Sequence, residues 1–128
     1  MLSEAKNADL AGEWLQHIEA EDVADAFVYL VGQAAVVSGY ECYATRKGDV
    51  RDFRFYRAGS TEQPFAFIVN KRWLLFYFRT PAVRTGSYTF GKLHEAFDSA
   101  AENAAGEWTV KVRSICDARR LWHLLALQ

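Results

Sequence analysis

Residues 40–57 read YECYATRKGDVRDFRFYR, and on either side of Lys47-Gly48-Asp49 the apolar positions recur every second residue. Period two belongs to a β-strand, whose successive side chains point to opposite faces. The spacing predicts strands over Tyr40–Arg46 and Arg51–Arg57, joined by a turn rich in the residues a hairpin needs. In the second strand Phe53, Phe55 and Arg57 share one face, and Asp52, Arg54 and Tyr56 the other. The phenylalanine face is expected to be buried, which leaves Arg54 exposed beside Tyr56. Arg51 and Arg57, at the strand ends, could turn toward solvent.

The same period continues downstream. Phe65–Val69 and Arg72–Arg79 read as a second hairpin around Asn70-Lys71, because Asn tolerates a left-handed conformation. Trp73–Phe78 is apolar on both faces, as expected of a central strand, and Pro81 ends it. A loop through Gly86 follows. Phe90, Leu93 and Phe97 predict a helix to about Ala104, closed near Gly106. Trp108, Val110 and Val112 alternate with polar residues as a fifth strand. Ser114 and Asp117 then form a capping pattern for a last helix burying Ala118, Leu121, Trp122 and Leu125.

Upstream the period is helical. Ser3 is positioned to cap a helix to about Ile18, with Leu10, Trp14 and Ile18 on one face. Glu21, Asp22 and Asp25 crowd the start of a second helix, where the macrodipole favours negative charge. Its stripe is Val23, Ala26, Phe27, Leu30, Val31, Ala34 and Ala35. Gly32 inside this helix is expected to mark a close backbone contact, and Gly39 to stop the helix. The expected fold is one α+β domain over residues 1–128, in the order ααββββαβα, with a mainly antiparallel sheet of about five strands. The second and last helices should share one sheet face and bury Phe27, Leu30, Val31, Leu121, Trp122 and Leu125.

At 128 residues the chain is long enough to bury a core without disulfide or metal staples. Cys42 and Cys116 lie far apart, and no CxxC or Cys/His spacing suggests zinc, so two free, unreactive thiols are expected. The polar, acidic Met1–Asp9 is unlike a secretory leader, and the longest apolar run, Ala26–Val37, is too short for a bilayer. These features predict a cytoplasmic protein without a membrane partner. Gly48, Gly59 and Gly86 are isolated, outside any phosphate-loop or dinucleotide pattern, so no cofactor is expected. His17, His94 and His123 stand on different helices. Neither His94-Glu95 nor Glu41-Cys42 has a third group to orient it, and no clustered carboxylates mark a nuclease, so the reading is non-catalytic.

Charge carries the functional expectation. The formal net charge is −1, yet residues 1–40 hold one base against seven acids, and residues 41–93 hold ten bases against four acids. Such asymmetry points to an anionic partner. Arginines along a sheet, with tyrosine beside them, suit phosphates and flat bases. The residues expected to make those contacts are Arg46, Arg51, Arg54, Tyr56, Arg57, Arg79, Arg84 and Tyr88. The reading is a nucleic-acid-binding module, for DNA or RNA. The alternative is a protein-interaction or inhibitor module with Tyr56, Tyr77 and Tyr88 as anchors and arginines as the rim, since both residue types are enriched at protein interfaces.

Overall fold

A computed structural model describes residues 6–127. Two helices, α1 (Lys6–His17) and α2 (Glu21–Val36), precede four strands: β1 (Tyr40–Lys47), β2 (Val50–Arg57), β3 (Phe65–Val69) and β4 (Leu74–Phe78). Two short helices follow, α3 (Thr80–Arg84) and α4 (Phe90–Ala96). The chain closes with the hairpin β5 (Ala101–Glu102) and β6 (Trp108–Val112), then α5 (Ile115–Leu125). The cap foreseen at Ser3 lies outside the described residues. All strands pair antiparallel in one sheet ordered β1-β2-β3-β4-β6-β5. The α+β class and the opening order of helices and strands are those the sequence predicts, with six strands in place of about five.

The extra strand replaces the end of a predicted helix. α4 stops at Ala96 and does not reach Ala104, because Asn103 organises a turn of its own. Its Oδ1 accepts from the Ala105 and Glu107 amides, each at 3.0 Å, and Gly106 takes φ +81°. That turn folds Ala101–Glu102 back onto β6. Likewise Pro81 does more than end β4: it occupies the first turn of α3, where its missing N–H costs nothing. The first hairpin is tighter than predicted, since Lys47 pairs with Val50 and only Gly48-Asp49 connects the strands. Gly48 at φ +62° takes the first central position, which hairpin turns of type II′ give to glycine.

One face of the sheet carries the core. Phe53, Phe55, Phe65, Phe67, Phe76 and Phe78 are at most 2% exposed and touch through their rings, with Phe53 stacked on Phe67 at 5.1 Å between centroids. α2 and α5 pack together on this face, where Phe27 meets Phe67 edge-on and Trp122 lies 6.2 Å from Phe55. Phe27, Leu30, Leu121 and Leu125 are buried as predicted, whereas Val31 and Trp122 are only half-buried. On α1, Trp14 is fully buried and its indole Nε1 donates to the Asp52 carbonyl at 3.0 Å. Ser114 caps α5 by accepting from the Asp117 amide at 3.1 Å, and Asp117 accepts in return from the Arg113 amide at 3.0 Å.

Two glycines behave differently from expectation. α2 ends on Val37 in extended conformation, and Gly39, at φ +82°, shapes the turn that follows. Gly32 has no close neighbour: a Cβ built there meets nothing within 4 Å. It therefore weakens α2 at an exposed position without a packing return. Gly32→Ala is expected to raise stability by about 0.5–1 kcal/mol, read as a higher urea midpoint at unchanged slope.

Candidate functional site: the uncovered sheet face

Strand alternation gives the sheet a second face, whose residues stay half-buried where their neighbours on the helical side are buried. Antiparallel register arranges this face in cross-strand rows. One row runs Tyr43, Arg54, Ala66, Tyr77, Thr109, and the next runs Thr45, Asp52, Ile68, Leu75, Lys111. Tyr43 and Tyr56 stack at 4.9 Å and 14° between planes. The Lys111 ammonium sits 4.9 Å from the Trp73 ring centre, a cation–π contact. The centre of the face is thus aromatic and aliphatic, and its charges lie among and around those side chains.

Within the rows Ala66 is the small residue, flanked by Arg54 on one side and Tyr77 on the other. The missing side-chain volume leaves a cleft of about 300 Å³, walled also by Lys47, Val50, Asp52, Ile68, Arg79 and Glu107. Arg54 donates through Nε and Nη2 to Asp52 Oδ2, at 3.1 and 2.8 Å. Arg79 donates through Nε to Glu107 Oε2 at 2.9 Å and through Nη1 to Gln63 at 3.4 Å. Burial alone would lower the Arg54 pKa, but bonding to Tyr56 and Asp52 outweighs it and the pKa rises. Burial raises that of Tyr77, helped by Glu107 and Asp52, so its hydroxyl stays neutral.

Only three of the eight residues predicted for the site, Arg54, Tyr56 and Arg79, reach this face. Arg46, Arg51 and Arg57 share the strand parity of Ala44, Phe53 and Phe55 and turn to the helical side. There Arg46 pairs with Glu13 of α1 over the Trp14 ring, and Arg57 pairs with Glu62 at 2.6 Å. Arg51 donates to the Asp49 carbonyl at 3.3 Å and lies near His17, whose pKa burial lowers first and Arg51 and Lys71 lower further. Arg84 is exposed on α3. Tyr88 packs edge-on against Phe78 in the core, and its hydroxyl donates to the Leu125 carbonyl at 2.6 Å.

Folding also cancels much of the charge asymmetry seen along the chain. The acidic first helix and its end meet the basic segment through Glu13–Arg46 and through Glu19–Lys71 at 3.2 Å. The pairs Asp52–Arg54 and Glu107–Arg79 match two of the cations on the uncovered face. Period-two reading missed Lys47, Ala66 and Glu107. The available signal was Ala66 itself, one small residue in a strand of large ones. Among the described residues no three His, Cys, Asp or Glu side chains gather as metal ligands would, and no helix is long and apolar enough to cross a membrane. Comparison with family models, curated proteins and solved structures finds no match to this chain.

Proposed function

We propose that the chain is a non-catalytic binding module that docks a partner protein on the uncovered sheet face. One observation carries this reading: the face interleaves aromatic and aliphatic side chains (Tyr43, Tyr56, Ile68, Leu75, Trp73, Tyr77) with arginines already matched to carboxylates. Protein interfaces are enriched in these residue types, Tyr, Trp and Arg. A nucleic-acid surface gains affinity by releasing counterions from phosphates, which needs cations unmatched on the protein. Of the arginines assigned to phosphate, Arg46, Arg54, Arg57 and Arg79 each hold a carboxylate. The nucleic-acid reading, which rests on charge counted along the chain and on Arg54 beside Tyr56, is the alternative that oligonucleotide titration decides.

The test pairs two experiments. Immobilised wild-type chain and a Leu75→Asp variant are used to capture proteins from extract, with circular dichroism verifying the variant's fold. The reading expects a protein retained by wild type and lost with Leu75→Asp. In parallel, fluorescence anisotropy with single- and double-stranded oligonucleotides should show no saturable binding at physiological salt. Saturable oligonucleotide binding that steepens at low salt and weakens with Arg54→Ala would overturn the proposal in favour of nucleic acid.

A further inference from the structure

We infer that the cleft over Ala66 is the anchor point of that docking face, and that it receives a carboxylate side chain of the partner, a glutamate or aspartate. The inference rests on the protein-docking reading and specifies what the partner must present. Three cations, Lys47, Arg54 and Arg79, border the cleft against two anions, Asp52 and Glu107. Among the described residues no carboxylate pairs with Lys47. An excess of one positive charge matches one added carboxylate, whereas a phosphate dianion would leave uncompensated repulsion from Asp52 and Glu107.

Hydrogen-bond capacity points the same way. Arg54 spends Nε and Nη2 on a single oxygen of Asp52, and Arg79 spends Nε on Glu107 and Nη1 on Gln63. Arg79 Nη2 and the Lys47 ammonium remain as donors, joined by the neutral Tyr77 hydroxyl, while Arg54 is also bonded to Tyr56. On the acceptor side Glu107 Oε1 is already engaged by the Asn103 amide at 3.1 Å. A guest that only accepts, as an ionised carboxylate does, matches this surplus. The floor of Ala66 and Ile68 with Val50 at the edge supplies apolar contact for the methylenes that carry such a group. The hollow itself is a consequence of one residue: a larger side chain at position 66 would fill it from the uncovered face, leaving both ion pairs and the helical side in place.

Butyrate, which reproduces a glutamate side chain, is the direct probe. Titrated into the isotopically labelled full chain and followed by amide shifts, it should give saturable changes confined to Asp52–Arg54, Ala66–Ile68 and Tyr77–Arg79. Butylamine should give none there, and Ala66→Leu should abolish the butyrate response. Absence of saturable shifts with butyrate, or a response that survives Ala66→Leu, overturns the cleft assignment. Capture of the partner separates the two readings: Leu75→Asp and Ala66→Leu should both release it. If Leu75→Asp releases the partner and Ala66→Leu retains it, docking stands and the carboxylate anchor falls. If neither releases it, the docking face itself is wrong.

Discussion

Phe76→Ala should destabilise the domain by about 3–5 kcal/mol, the usual cost of removing a fully buried aromatic ring. Phe76 is 0% exposed at the centre of the ring cluster, with Phe55, Phe65, Phe67 and Phe78 all within 6.3 Å of its centroid. No neighbour on a rigid antiparallel sheet can collapse into the space it vacates. A loss of that size is a large part of the roughly 5–15 kcal/mol a domain commands, so urea unfolding should show a sharply lower midpoint. Trp122→Ala should cost less although tryptophan is larger, because Trp122 is half-buried on α5 and touches the cluster at its margin, through Phe55. Equal losses for the two variants would mean that α5 covers the sheet more completely than described.

Alkaline pH should weaken the fold through Cys42. Burial pushes this thiol from its ordinary value near 9 up to about 11. A neutral thiol is the form that a buried site favours, so the folded state holds its proton to higher pH than the unfolded chain. The contribution is complete below the unfolded pKa and is lost as pH rises through the folded one, which sets the window at about 9 to 11. Its size is about 2–3 kcal/mol, from the two pKa values. Tyr40, Tyr77 and Tyr88 are raised too, each chiefly by burial, and weaken the fold in the same direction at higher pH. Cys42→Ala removes the thiol and leaves the tyrosines. Its stability should therefore fall less steeply between pH 9 and 11 than wild type, and parallel profiles would contradict the assignment.

Local pattern reveals elements well here and partners poorly. Phe53 and Phe55, two apart, fix both the strand and the face it buries, and the acidic start of α2 marks a helix from its first turn. Ala100–Ala105 misleads because alanine favours helix wherever nothing competes, and the competitor is the turn centred on Asn103. The site was half legible. Parity alone assigns Arg54 and Tyr56 to the uncovered face and sends Arg57 to the other. What parity cannot reveal is that Glu107, 28 residues further on, reaches Arg79, or that Glu13 of α1 meets Arg46. Those pairs depend on how the helices and the β5–β6 hairpin dock. They reduce the positive balance of the basic segment without abolishing it.

The central claim is that the uncovered face meets protein. A photo-crosslinking residue introduced at Leu75 of the full chain, with a second version at exposed Gln16 of α1 as control, tests it most directly in extract. The account predicts a discrete adduct from position 75, absent from position 16, that is destroyed by protease and unaffected by nuclease. An adduct from position 75 that nuclease destroys, or identical products from both positions, would contradict it.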